Sequence, residues 1–205
     1  MTTSKQLLVA THNPGKVREF ALLLRDVPVR LRGLVEFPQA SEVEETGATF
    51  AENAALKARS YAAQTGLWTL ADDSGLEVEA LGGAPGVYSA RYAGIGASAE
   101  QRIERLLNEL AQTGDAERRA RFVCVIAIFH PATAALDFFE GKCEGRIISE
   151  PRGTNGFGYD PIFVPEGYTQ TFGELSDETK AHLSHRARAL DAARTFLHQH
   201  LQKPT

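Results

Sequence analysis

The chain has 205 residues, of which 43% are hydrophobic and 23% charged, and its formal net charge is −4. That length predicts one domain over residues 1–205, with room for two lobes, and the composition is that of an ordinary globular protein. The negative balance argues against broad DNA or RNA binding, which needs a basic surface, whereas one triphosphate needs only a few local cations or a metal.

Two cysteines, Cys124 and Cys143, lie in apolar or β-like runs and read as small buried hydrophobes. They provide neither a disulfide framework nor a thiolate zinc site. The opening MTTSKQLLVA lacks the apolar core of a signal peptide. No run reaches the ~18 apolar residues of a membrane span. The expectation is a cytoplasmic protein without membrane contact.

In chain order, Leu7–Ala10 predicts a buried strand, followed by a loop over Thr11–Gly15 with Pro14 suited to a turn or a first helical position. Val17, Phe20, Ala21 and Leu24 recur at helical spacing. Val29, Leu31 and Gly33 to Val35 suggest a second strand. SEVEETGAT at 41–49 reads as an acidic loop, and Phe50–Gln64 as a helix closed near Gly66. Trp68–Ala71 predicts a strand ending at Asp72-Asp73, and Leu76–Leu81 another. Gly82–Gly96, with five Gly, one Pro and two Tyr, reads as a structured loop. Ser98 and Gln101 form a capping box before the stripe Ile103, Leu106, Leu107 and Leu110, and Gly114 ends that helix. Arg121–His130 is β-rich. Ala134–Glu140 and Cys143–Ser149 read as its antiparallel neighbours, punctuated by Gly141. Ile162–Val164 is a short strand. Ser176–Leu201 is helical, with a fresh start at Ser184 and one face of Leu190, Ala193, Leu197 and Leu201. Alternating helices and strands followed by a strand cluster predict an α/β fold with a mixed sheet.

Three distant segments carry chemistry: ATHNPGK at 10–16, ADDSGL at 71–76 and GFGYDP at 156–161. The first is a strand-to-helix junction, where unpaired backbone N–H groups and the helix dipole favour an anion. Thr11 and Asn13 add side-chain donors and Lys16 a cation, although the Walker pattern is absent. An ordinary turn with a surface lysine reads equally from this segment alone. In the second, DDSG is a good turn sequence. Equally, carboxylates at a strand end suit Mg²⁺, a hard cation that prefers oxygen ligands. Glu44 and Glu45 are the candidates for a further metal ligand, or else part of a solvated acidic run. In the third, glycines permit close backbone approach and Phe157 and Tyr159 offer rings for a base; a tight loop before a strand is the alternative. Lys180, His185 and Arg186 sit near helix ends, as solvated charges or as donors to a base carbonyl. Asn53 and Lys57 share one helix face. The G-x-G-x-x-A run at 94–99 lacks a preceding strand, so a dinucleotide site is rejected. His198 and His200 are two apart on a helix and do not share a face.

ATHNPGKVREF, EETGATFAENAALKA, ADDSGLEVEALGGAPGVYSARYAG, GFGYDPIF and SHRARAL together resemble the inosine triphosphate pyrophosphatase (Ham1-like) family, in that family's order from residue 10 to residue 190. Residues 111–120 and those after Leu197 match no usable pattern. The resemblance implies an elongated two-lobed α/β fold, with a mixed central sheet flanked by helices and a central active-site cleft, usually as a homodimer. It implies phosphate binding by Thr11, His12, Asn13, Pro14, Gly15 and Lys16, with His12 and Pro14 at positions the family varies. Asp73 would be the catalytic carboxylate and a magnesium ligand, with Glu44 or Glu45 as another. Ser74 would contact substrate. Phe157, Gly158, Tyr159, Asp160, Lys180, His185 and Arg186 would recognise base and ribose.

The implied reaction is hydrolysis of non-standard purine nucleoside triphosphates (dITP/ITP, XTP/dXTP) to the monophosphate and pyrophosphate, which cleanses the nucleotide pool. A Maf-like nucleotide pyrophosphatase acting on modified or pyrimidine triphosphates is the nearest rival. A nucleotide-binding sensor is the rival from another class, disfavoured because anion binding gains nothing from two adjacent carboxylates.

Overall fold

A computed structural model describes residues 5–201, with the side chain of Leu201 outside the described residues. Six strands form one mixed sheet in the order β2-β1-β3-β4-β5-β6. They are β1 (Gln6–Val9), β2 (Arg30–Gly33), β3 (Trp68–Val78), β4 (Arg119–His130), β5 (Ala135–Ile147) and β6 (Phe163–Pro165). β1 pairs in parallel with β2 and β3, and β5 pairs antiparallel with β6. β4 and β5 are neighbours joined by four residues, a length that only an antiparallel pair permits. The edges carry features that discourage further pairing: Arg30 and Arg32 on β2, and Pro165 on β6.

The helices are α1 (Pro14–Leu23), α2 (Phe50–Thr65), α3 (Ala99–Thr113), α4 (Asp177–Leu183) and α5 (His185–Leu201). Local sequence sets their ends. Thr49 and Glu52 close a reciprocal capping box on α2, and Ser98 and Gln101 close one on α3. Gly66 and Gly114 end the same two helices in the left-handed conformation that glycine adopts without penalty. Ser184 is extended between α4 and α5, as expected from the fresh start there.

Three expectations are corrected. β3 does not stop at Asp72-Asp73; it runs through Asp72-Asp73-Ser74-Gly75 to Val78, and Glu79–Leu81 is a 3-10 turn. Asp and Ser favour turns through local side-chain hydrogen bonds and Gly through its backbone freedom, but here the side chains of Asp72, Asp73 and Ser74 bond elsewhere in the fold. The two strands expected on either side of Gly141 are one, β5, which neighbours the equally long β4 and pairs with β6 only over Gly145–Ile147. Leu34–Glu36 is a 3-10 turn and not part of β2.

Within the described residues the chain divides into two compact units. The first takes residues 5–73, 124–141 and 187–201, and the second Ser74–Val123 and Lys142–Arg186. Leu7, Phe20, Leu24, Leu70, Ile126, Leu190 and Leu197 belong to the core of the first. Leu76, Ile103, Leu106, Leu110, Phe122, Phe163 and Phe172 belong to that of the second. Cys124 and Cys143 are buried and unbridged, one in each core. No helix is long and apolar enough to cross a membrane among the described residues.

Candidate active site

The first unit holds an acidic–lysine group on β3, α1 and α2. Asn13 is the N-cap of α1 and Pro14 its first residue. The Asn13 side-chain oxygen accepts hydrogen bonds from the N–H groups of Gly15 and Lys16, at 2.8 and 3.2 Å. These N–H groups, expected to face an anion, are thus already capped. Thr11 Oγ1 in turn accepts from the Asn13 N–H at 3.2 Å. The exposed His12 reaches the Tyr61 hydroxyl at 3.5 Å. Lys16 Nζ pairs with Asp72 at 2.8 Å. Asp72 is fully buried beside Cys124, so the lysine supplies the countercharge that such a carboxylate requires.

Asp73 is 6% exposed and has different partners. Asn53 Nδ2 donates to its Oδ2 at 3.0 Å, and Lys57 Nζ lies 3.6 Å from its Oδ1. Asn53 is fully buried, and its oxygen accepts the Gly47 N–H at 2.7 Å. That bond settles which end of the amide faces Asp73. It also leaves no room at Gly47, where an added Cβ would come within 2.7 Å of the Asn53 oxygen. Lys57 Nζ additionally contacts Glu45 at 2.5 Å. Of the two adjacent glutamates, Glu45 joins this group, while Glu44 is exposed.

Burial pushes the Asp73 carboxyl above the usual carboxylate range, against the pull of Lys57; Glu45 pushes it further up, while Lys16 and Asn53 oppose. Burial alone would push Lys57 down, yet Asp73, Asp72 and Glu45 together carry it above the ordinary lysine value. Glu45 and Asp73 are therefore two carboxylates gathered about one cation. Mg²⁺ commonly uses one or two carboxylates and takes its other ligands from water and substrate phosphates. This pair fits that requirement, and no cluster of three or more His, Cys, Asp or Glu exists among the described residues.

The second unit holds a basic–aromatic group. Lys180, His185 and Arg186 are not solvated: their exposures are 4%, 5% and 1%. Lys180 Nζ pairs with Asp160 at 2.7 Å and lies 5.0 Å from the centre of the Phe157 ring, within cation–π range. Arg186 lies 5.8 Å from the same ring and donates to Ser74 Oγ at 3.0 Å. His185 stacks on Phe122 at 4.8 Å. His185 and Arg186 open α5, at the positive end of its dipole, where cations are disfavoured for helix stability.

The GFGYDP segment divides its work. Phe157 is half-buried, while Tyr159 is buried in the core and donates its hydroxyl to the Ser89 carbonyl at 3.0 Å. Asp160 accepts the Phe157 N–H at 2.7 Å and thereby closes the loop around Lys180. Gly158 has φ +62°, a backbone shape suited to glycine. The sequence does not single out Ser89 or Gly47: the Gly47 N–H and the Ser89 carbonyl are backbone groups without a residue-type signal, and the Ser89 hydroxyl bonds backbone groups of its own unit.

A mixed α/β sheet carries buried acid–lysine pairs on a central strand. The pattern of the Ham1 family matches residues 7–196. A relative from Shouchella clausii (strain KSM-K16), named dITP/XTP pyrophosphatase, is 50% identical over 187 residues, covering 91% of this chain and 93% of its own. The structure of a HAM1 protein from Coxiella burnetii is similar with a TM-score of 0.88 and 44% identity, covering 95% of this chain and 99% of that one. A nucleoside-triphosphatase / dITP/XTP pyrophosphatase from Mycobacterium abscessus ATCC 19977 gives a TM-score of 0.75 at 44% identity, covering 92% and 98%. The chain belongs to the Ham1 family.

Proposed function

We propose that the protein is a nucleoside triphosphate pyrophosphatase that hydrolyses dITP/ITP and XTP/dXTP between the α- and β-phosphates, releasing the monophosphate and pyrophosphate. The observation that carries the chemistry is Asp73, a buried carboxylate held by Asn53 and Lys57 with Glu45 on the same lysine. The substrate class rests on the names of relatives that are half identical over nearly the whole chain.

In this reading Asp73 orients the attacking water and takes its proton. Lys16 leaves Asp72 in part to meet phosphate oxygens, and Lys57 keeps positive charge beside the reacting phosphate. Asp73 and Glu45 would hold Mg²⁺, which when bound neutralises phosphate charge. Such transfers need positioning and electrostatics, so no phosphoryl-enzyme intermediate is expected. Lys180, His185 and Arg186 act as donors to a carbonyl at C6 of the base, which adenine replaces with an amino donor. Phe157 offers the stacking face. Each buried donor left unpaired costs about 1–3 kcal/mol, so a few give large discrimination. The reading includes a homodimer, as the family resemblance implies, working in the cytoplasm to remove deaminated purines.

Pyrophosphate release is the test, measured with Mg²⁺ and with chelator across natural and deaminated triphosphates. Fast release from dITP and XTP, slow release from dATP and none in chelator is the expected pattern. Equal rates on dATP would remove the selectivity, and preference for pyrimidine triphosphates would favour the Maf-like reading. Lys16→Ala is expected to raise KM for dITP about tenfold or more through loss of a charge-assisted phosphate contact. Its melting temperature should fall as well, because Asp72 loses its 2.8 Å partner, so KM must be read on protein shown to be folded.

A further inference from the structure

Ser89 lies in the Gly-rich segment before α3 and is 8% exposed. Its hydroxyl accepts the Leu76 N–H at 2.9 Å and donates to the Gly86 carbonyl at 2.7 Å. Its own carbonyl accepts the Tyr159 hydroxyl at 3.0 Å. One residue therefore ties two sets of side chains. Leu76 follows Ser74 by two positions on β3, and Ser74 accepts from Arg186. Tyr159 is flanked by Phe157 and by Asp160, the partner of Lys180.

The segment that carries Ser89 is itself fastened to α3. Arg102 donates to the Ala90 carbonyl at 2.6 Å, and Arg105 donates to the Tyr92 carbonyl. The Tyr92 hydroxyl donates to Glu109, and burial with that bond pushes the phenol up to about 12, so it remains a donor. Ser89 is thus a fixed node, anchored on a helix that carries none of the basic–aromatic side chains.

We infer that Ser89 is a positioning residue for purine selectivity, holding the Ser74–Arg186 pair and the Phe157–Asp160–Lys180 loop in register. The inference rests on the base-recognition reading above. Ser89 touches no substrate; it acts through two partners whose placement decides whether the donors meet a C6 carbonyl. Recognition by buried donors is sensitive to misplacement because a donor moved out of reach of its acceptor is left unsatisfied.

The test is the ratio of kcat/KM on dITP to kcat/KM on dATP for Ser89→Ala, Tyr159→Phe and the double variant, with Phe157→Leu in parallel and folding checked by circular dichroism. The expected result is a ratio lowered about tenfold in each Ser89 or Tyr159 variant, through KM for dITP, with kcat on dITP within about threefold. The double variant should lose less than the product of the two single losses, since both act through one node. A lower melting temperature with an unchanged ratio would overturn the role of Ser89 while leaving base recognition intact. An unchanged KM for dITP in Phe157→Leu would overturn the base-recognition reading and this inference with it. Tyr159→Phe guards against failure of Ser89→Ala to fold, because it removes one hydroxyl and keeps the ring.

Discussion

Asp73→Asn is expected to lower kcat on dITP by about 10²–10⁴-fold, the range for loss of a general base, without lowering the melting temperature measured in chelator. Both halves follow from the same surroundings. Asparagine keeps the size of the side chain and can still bond Asn53, but it cannot accept a proton from water. Burial is the largest influence on the Asp73 carboxyl and holds it above its ordinary range despite Lys57. A carboxyl shifted upward favours the folded state while it is protonated. That contribution is lost as the pH rises through the folded-state value. At neutral pH the ionised group therefore weakens the metal-free fold, and the neutral amide relieves it. Lys57 retains its 2.5 Å contact with Glu45 in the variant. Turnover by pyrophosphate release and melting at pH 7.5 check the two halves. A collapse in melting temperature together with activity would make Asp73 a structural residue.

Gly156→Ala is expected to damage stability and substrate binding together. Gly156 has φ +75°, and an added Cβ would lie 2.1 Å from Asp160 Oδ2 and 3.0 Å from Lys180 Nζ. The methyl group cannot coexist with the 2.7 Å Asp160–Lys180 pair. Separating a buried pair of this kind costs roughly 3–5 kcal/mol, and the left-handed backbone adds about 1–2 kcal/mol for a residue with a Cβ. A fall in melting temperature of about 8–28 °C follows for a chain of this size. KM for dITP should rise more than about tenfold in the protein that remains folded, since Lys180 loses its anchor. Gly158→Ala is the internal comparison: φ is +62° but nothing lies within 4 Å of an added Cβ. Only the backbone term of about 1–2 kcal/mol applies there. Equal damage from the two variants would show that backbone shape, and not the Asp160–Lys180 pair, sets the need for glycine at 156.

Helix ends were the most legible part of the fold. Thr49-x-x-Glu52 and Ser98-x-x-Gln101 carry their own capping chemistry, and Gly66 and Gly114 their own termination, all within a few residues. Strand limits were less legible. Asp72-Asp73-Ser74-Gly75 has every local mark of a turn, yet it lies inside β3. Lys16, Lys57, Asn53 and Arg186 bond its polar side chains from positions 16 to 112 residues away along the sequence. No local rule includes such partners. Gly141 likewise marks a break by its type, whereas β5 runs unbroken through it beside β4.

Residue types alone determined that this chain carries carboxylates, lysines and aromatic rings in three separated motifs, because those functional groups are fixed by composition; their reading as one nucleotide site came from the resemblance to the Ham1-like family. Sequence left Glu44 and Glu45 equal, and Lys180, His185 and Arg186 divided between solvent and site. The tertiary structure separates them by partner and by burial. Glu45 meets Lys57, and the three basic residues are buried. It also spent the N–H groups of Gly15 and Lys16 on Asn13, removing donors that the motif alone offers to an anion. The physical reason is common to all of these: charge and hydrogen-bonding capacity belong to a side chain, but burial and partners are set by what the rest of the chain packs around it.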